Sequence, residues 1–261
     1  MIDTHAHLSK RFCPAAAGLS LAQGVKIILA ASNLADSREN VELAKQNIGQ
    51  FWASVGVHPQ CTDPENTTPI EKQLEELRIL IDGDKNKNVV AIGETGLDFS
   101  PPPPDESERS PVEQERLFRG QVELAQKNNL PLIIHARKAA DEVIKILAEY
   151  KHLKGVFHCY AGGKKRIKKV LDLGQGWYFG IDGNLTYEVG LSEVVAAIPK
   201  DRLLAETDSP FLAPLPYRGQ TNKPEYVEFI YKKIAKIWTM GFEETEEIID
   251  KNAANLFNIV L

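Results

Sequence analysis

Two histidines spaced i, i+2 open the chain in Asp3-Thr4-His5-Ala6-His7. Residues two apart in an extended segment point to one side, so both imidazoles can reach a single ion. Histidine is the commonest metal ligand; hydrogen-bonded surface histidines are the alternative. A second stretch, Gly93-Glu94-Thr95-Gly96-Leu97-Asp98, puts a carboxylate directly after the apolar Val89-Val90-Ala91-Ile92. Buried there, Glu94 needs a cation or a network of donors, because an unpartnered carboxylate is costly. A salt bridge to lysine or arginine would also serve. The flanking glycines let the backbone turn tightly and approach a ligand. His135 ends Pro131-Leu132-Ile133-Ile134, and His158 ends Gly155-Val156-Phe157. Glu206-Thr207-Asp208-Ser209-Pro210 adds two carboxylates, each a ligand or general base, unless the aspartate is a helix cap.

Four histidines (His5, His7, His135, His158) with Glu94 and Asp208 make six donors. That exceeds what one tetrahedral zinc uses and suits two cations about 3.5–4 Å apart. The mixed nitrogen and oxygen set fits Zn²⁺, Mn²⁺, Fe²⁺ or Mg²⁺ without deciding among them. Its chemistry is hydrolysis by a metal-activated water. Histidine ligands must be neutral to bind, so metal affinity is expected to fall below about pH 6.

The elements that must position these residues alternate along the chain. Strands are predicted over 1–3, 25–31, 52–57, 89–93, 131–135, 155–158, 177–180 and 203–205, as short apolar runs suited to buried parallel pairing. Helical spacing fills the gaps over 37–47, 70–81, 111–128, 139–150, 164–173 and 191–198, and two more helices over 225–238 and 243–257 follow the last strand. Eight such repeats favour a closed α/β barrel of the TIM type, (β/α)8, as a single domain over 1–261 with the C-terminal helices packed outside. The chemically unusual residues fall at or just after strand ends. His5 and His7 follow the first, His58 the third, Glu94 and Asp98 the fourth, and Asp208 the eighth. Of the six histidines only His152 is elsewhere. In such a barrel those ends converge on one face. Pro101-Pro102-Pro103-Pro104 makes 100–110 an extended loop beside it.

The 261 residues are 43% hydrophobic and 26% charged, enough to bury a large core without staples. No apolar run is long enough to span a membrane. The start Met1-Ile2-Asp3-Thr4-His5 has no secretory leader pattern, so the expected location is the cytoplasm, or the nucleus of a eukaryotic cell. Cys13, Cys61 and Cys159 are odd in number and lack C-x-x-C spacing, which predicts reduced thiols rather than disulfides or a thiolate zinc site. A net charge of −5 means any nucleic-acid binding must be local, with bound cations offsetting phosphate. Lys164-Lys165-Arg166 with Lys168 and Lys169 could steer a strand toward the site, or could be a solvated helix face.

The ordered motifs resemble the TatD family of metal-dependent deoxyribonucleases, within the amidohydrolase-like hydrolases. They are Ile2-Asp3-Thr4-His5-Ala6-His7, Val55-Gly56-Val57-His58-Pro59, Ile92-Gly93-Glu94-Thr95-Gly96-Leu97-Asp98, Ile134-His135-Ala136-Arg137, His158-Cys159-Tyr160-Ala161-Gly162, Glu206-Thr207-Asp208-Ser209-Pro210, and Arg218-Gly219 with Asn222-Lys223-Pro224. The resemblance implies that His5, His7 and Asp208 hold one cation, that Glu94 bridges, and that His135 and His158 hold the second. Glu206 would assist as acid or base beside Glu94 and Asp208. His58, Arg137, Arg218 and Lys223 would face substrate, and Asp98 would orient a ligand. Arginine's donor fork suits phosphate oxygens. The chain departs from the family at Gln60, where many members carry a second histidine.

The function so implied is phosphodiester hydrolysis of DNA, exonucleolytic on single-stranded or frayed ends, by a monomer holding two divalent cations (Mg²⁺, Mn²⁺ or Zn²⁺). No obligate protein partner and no membrane association are expected. The same machinery could instead open an amide or lactone of a small molecule, although relatives of that kind commonly carry a carboxylated lysine where this chain has Glu94.

Overall fold

All eight expected strands form and pair in parallel in chain order. The computed structural model describes residues 1–12, 24–61, 68–101 and 109–260. Its strands are β1 (Ile2–Ala6), β2 (Lys26–Leu29), β3 (Phe51–Val55), β4 (Val89–Asp98), β5 (Leu132–Arg137), β6 (Gly155–Phe157), β7 (Trp177–Ile181) and β8 (Leu203–Ala205). Parallel neighbours need crossovers. These carry α1 (Leu34–Gln46), α2 (Ile70–Gly83), α3 (Pro111–Asn128), α4 (Ala140–Leu147), α5 (Lys164–Leu171) and α6 (Leu191–Ala197), with α7 (Val227–Trp238) and α8 (Phe242–Phe257) after β8. The barrel nearly closes. Ala6 and Ser209 form a parallel bridge, the His7 amide donates to Ser209 O at 2.8 Å and the Asp208 amide to His5 O at 2.9 Å. Cys13 and the 102–108 part of the proline-rich loop lie outside the described residues. No helix among the described residues is long and apolar enough to cross a membrane.

Two strands differ from expectation in a way that matters for the site. β1 runs through His5, and β4 continues past Gly93 to Asp98, so Glu94 lies within its strand rather than after it. The reason is irregular pairing. Asp3 and Ala6, three apart, face Ile27 and Leu29, two apart; Ile92 and Thr95 likewise face Leu132 and Ile134. An extra residue of this kind kinks the strand and re-aims side chains. Both irregularities fall beside the residues of interest, at His5 and Glu94. Past the second, Gly96 adopts φ +145°, and a Cβ there would stand 1.9 Å from His135 O. Only glycine lets β4 run this close to the strand that carries His135.

Apolar side chains hold the rest. Ile2, Ile28, Val90, Ile133, Val156, Tyr178 and Leu204, from seven strands, form one buried cluster with Ala253, Leu256 and Phe257 of α8. Each fully buried aliphatic side chain contributes about 1.5–3 kcal/mol. α8 therefore does more than wrap the barrel: it closes the end opposite the site. There the Met1 ammonium meets Glu246 at 2.7 Å, and Asn252 Nδ2 donates to Leu203 O at 2.9 Å. With that end sealed by hydrocarbon, polar chemistry is confined to the other.

Candidate metal centre

At the C-terminal ends of the strands a cavity of about 1220 Å³ opens, lined by His7, His58, Glu94, Asp98, His135, His158 and Asp208 among others. His5, buried and without solvent exposure, stacks at 4.2 Å on His158. The six expected donors are thus brought together from β1, β4, the ends of β5 and β6, and the turn after β8.

Their spacing tests whether a cation fits. Two nitrogens each about 2.0–2.1 Å from a tetrahedral ion stand about 3.3–3.4 Å apart. His5 Nε2 and His7 Nε2 are 3.3 Å apart. Asp208 Oδ1 lies 3.6 and 3.4 Å from them, and Glu94 Oε2 lies 3.7 Å from each. That quartet has the dimensions of a coordination shell. Among the described residues, His5 Nδ1 also has no hydrogen-bond partner despite burial. The second group is tighter. His135 Nδ1 and His158 Nε2 are 3.3 Å apart, but Glu94 Oε1 is 2.7 Å from both, the distance of charge-assisted hydrogen bonds. A cation would have to spread these three by about half an ångström and displace a proton.

Charge explains that proton. Burial works against ionised Glu94, but the charge of His158 and hydrogen bonds from His135 and His158 hold its carboxyl well below the usual range. Burial likewise opposes His158, yet Glu94, then Glu206 and Asp208, raise it to about 10. His7 and His135 are also raised despite burial, mainly by Asp208 and by Asp98 with Glu94 respectively. Cation binding must therefore compete with protons well above pH 6. We expect Mn²⁺ affinity to keep rising between about pH 6 and 9, by up to about tenfold per unit for each proton released. Competition against a chromophoric chelator measures this; an affinity flat above pH 6.5 would contradict it.

Positioning residues surround these ligands; sequence reasoning gave roles to Asp98 and Glu206, but none to Asp3, Gln114 or Gln121. Asp98 Oδ2 sits 3.0 Å from His135 Nε2. Burial opposes its charge, but His135 and Ser100 hold it down to about 2. On α3, Gln114 receives the Asp98 amide at 2.9 Å and donates to its carbonyl at 3.0 Å. Two turns on, Gln121 grips both polar groups of Val57, beside His58. Asp3 Oδ1 accepts from the amides of His5 and Thr207, and Oδ2 from the Thr207 hydroxyl at 2.6 Å. Glu206, buried and pushed up to about 8 chiefly by desolvation, accepts the Cys159 amide at 2.5 Å. A Cβ at position 180 would meet its carboxylate at 2.3 Å, so Gly180 makes its room. The Cys159 thiol reaches Asp182 at 2.5 Å. Cys61 and Cys159 are not disulfide-bonded.

The expected substrate-facing residues divide. His58 and Arg137 line the cavity; Arg218 and Lys223 do not. Arg218 lies 4.1 Å over the Tyr187 ring, and Lys223 stands 3.9 Å from Glu225. The basic run is largely spoken for by carboxylates: Lys164 pairs with Glu193, Arg166 and Lys169 with Asp141, and Lys168 with Asp172. Of the five, only Arg166 lines the cavity. Gln60, the departure from the family pattern, donates to Asp98 O at 3.1 Å and Ser100 O at 2.6 Å, fastening the end of β4.

A parallel eight-stranded barrel with histidines and carboxylates gathered at the C-terminal mouth defines a metal-dependent hydrolase. Comparison with known proteins narrows the class: the chain belongs to the TatD related DNase family, whose pattern it matches over residues 2–258. It is 35% identical over 230 residues to the metal-dependent hydrolase YabD of Bacillus subtilis, covering 85% of this chain and 84% of that one. It is 30% identical over 251 residues to the 3'-5' ssDNA/RNA exonuclease TatD of Salmonella typhimurium, covering 92% and 91%. Among solved structures, the TatD homologue YJJV of Escherichia coli superposes with a TM-score of 0.86 at 28% identity, covering 100% and 98%.

Proposed function

We propose that this chain hydrolyses phosphodiester bonds of DNA, from single-stranded or frayed ends, with two divalent cations held by His5, His7, Glu94, His135, His158 and Asp208. The observation that carries the reading is the position of Glu94. Its Oε2 faces the His5–His7 pair and its Oε1 the His135–His158 pair, so one carboxylate joins both groups. Cations bound there would acidify a water and neutralise phosphate oxygens.

The chain's own residues supply the rest. The attacking water adds to phosphorus as the P–O bond to the leaving oxygen breaks. Asp208, partly exposed to the cavity, takes the water's proton and returns one to that oxygen. His58 is a donor, and its tautomer follows from the backbone. The Gln60 amide donates to His58 Nδ1 at 3.2 Å, which leaves the imidazole proton on Nε2. Burial and the charge of His135 lower its pKa to about 3, so the ring stays neutral. His58 Nε2–H and the exposed Arg137 fork are then placed to bind phosphate oxygens. Glu206, which accepts the Cys159 amide, holds the turn that carries His158 in place. The Salmonella relative's named activity supports a nucleic-acid substrate. So does the size of the cleft, about 1220 Å³ against roughly 300–1,000 Å³ for sites enclosing a drug-sized molecule.

The test is cleavage of 5′- and 3′-labelled oligonucleotides after metal removal and reconstitution with Mg²⁺, Mn²⁺ or Zn²⁺, beside His135→Ala. Metal-dependent shortening from one end, lost in the variant, is the expected result. Equal activity in wild type and variant would mark a contaminant. Turnover of amide or lactone substrates with oligonucleotides left intact would transfer the site to small-molecule hydrolysis.

A further inference from the structure

One wall of the cavity is aromatic, and the phosphate chemistry does not use it. Phe12 and Phe211 meet edge to face with ring centroids 5.6 Å apart. Both stand against the His7 ring, at 5.0 and 6.0 Å, and both line the cavity. Phe211 is 47% exposed, an unusual state for a phenylalanine beside a buried polar centre. Its backbone is fixed: the Phe211 amide donates to Asp208 O at 2.8 Å, and buried Asn222 donates from Nδ2 to Phe211 O at 2.6 Å and Thr207 O at 2.8 Å. The Arg11 guanidinium lies 5.2 Å over the Phe12 ring.

We propose that Phe211 and Phe12 form a stacking subsite for the unpaired nucleobase next to the phosphodiester being cut. The inference rests on the nucleic-acid reading above and names the part of the substrate it left unassigned. A rigid, half-exposed ring presents a flat apolar face, and every nucleobase offers a π-face to match it, whatever the sequence. The His7 contact fixes the distance: a base on this wall is joined through its own sugar to a phosphate at the candidate metal centre. Arginine against the neighbouring ring adds the cation–π character that single-strand sites use. Of the other aromatic pairs among the described residues, Tyr217 stacked on Tyr226 at 4.2 Å does not line the cavity, while Phe157 and Tyr160, which do, are buried and packed on Trp177 and Phe179. Stacking here needs an unpaired base, which makes frayed and single-stranded ends the preferred substrates and lets duplex interiors pass.

The experiment compares oligonucleotides ending in a normal nucleotide with ones ending in an abasic tetrahydrofuran residue. Wild type should show a KM lower by about tenfold for the base-bearing end, with similar kcat. Phe211→Ala should erase that difference while keeping metal content and circular dichroism, Phe211→Leu should fail to restore it, and Phe211→Tyr should keep it. As a spectroscopic arm, terminal 2-aminopurine should be quenched on binding to Glu94→Gln protein, and not on binding to the Glu94→Gln/Phe211→Ala double variant. Oligonucleotide cleavage with no base-versus-abasic difference, or with one that survives Phe211→Ala, overturns the stacking subsite alone. Absence of any oligonucleotide binding or cleavage by wild type removes the nucleic-acid reading and the subsite with it.

Discussion

Glu94→Gln protein is expected to fold and to lose metal-stimulated hydrolysis by on the order of a thousandfold. The side chain is nearly isosteric, but glutamine carries no charge and offers a single acceptor oxygen. In the native site both carboxylate oxygens are engaged, one toward each histidine pair. Turning the amide so that its oxygen faces one pair presents an NH₂ to the other. Removing one preorganised electrostatic group from an active site typically costs about 10²–10³-fold in kcat, hence the magnitude. The metal-free protein should change in the opposite sense. Without Glu94 the charge that raises His158 to about 10 is weakened, so that imidazole should lose its proton nearer the ordinary histidine range, a change visible by NMR titration. Steady-state rates and metal stoichiometry by elemental analysis complete the measurement. Activity within tenfold of wild type, with two ions still bound, would mean that Glu94 does not join the two groups.

The strand–helix rhythm carried the barrel because parallel strands buried on both faces read as apolar runs and their crossovers as amphipathic ones. Placing chemistry at strand ends followed from that topology. The bulges at His5 and Glu94 did not, because an extra residue in a strand leaves no mark on a pattern of period two. The expectation that Glu94 follows β4 failed for that reason. The buried amides of Gln114 and Gln121 were equally silent: a polar residue on the inner face of a helix looks like a defect in the apolar stripe until the strand-end backbone it grips is known. Arg218 and Lys223 belong to motifs that resemble the family's, and motif resemblance does not say which way a side chain runs. The basic run illustrates the same limit. Two of its three carboxylate partners, Asp141 and Glu193, come from other helices.

Asp3 is the residue whose loss should unsettle fold and site together. It sits within Asp3-Thr4-His5-Ala6-His7, where the histidines attract the attention, yet it is fully buried and accepts from the His5 amide, the Thr207 amide and the Thr207 hydroxyl. It thus ties β1 to the turn carrying Glu206 and Asp208, across the seam where the barrel closes. Asp3→Ala strands three buried donors, at about 1–3 kcal/mol for each group left unsatisfied, and some relaxation brings the sum to about 4 kcal/mol. For a chain of this size that is a fall of roughly 10 °C in melting temperature. Because His5 and Asp208 lose their common anchor, metal affinity should fall by about 10–100-fold, as when outer supports of ligands are removed. Asp3→Asn should behave differently. Desolvation pushes the Asp3 carboxyl up to about 7 in spite of its hydrogen bonds from Thr207, so a neutral side chain is already close to the native charge state. Asparagine Oδ1 can keep both amides, and its NH₂ meets a Thr207 hydroxyl that can turn to accept. We expect a loss of about 1 kcal/mol and metal affinity within severalfold of wild type. The sign with pH follows from the raised value: the native carboxyl holds its proton more tightly than the unfolded one, so its contribution to stability is complete below about pH 4 and is lost as pH rises through 7. The stability gap between wild type and Asp3→Asn should therefore shift in the variant's favour from pH 5 to pH 8 in metal-free protein. Thermal melts of the three proteins at both pH values test this; an alanine variant that melts with wild type would show that the seam is held by something else.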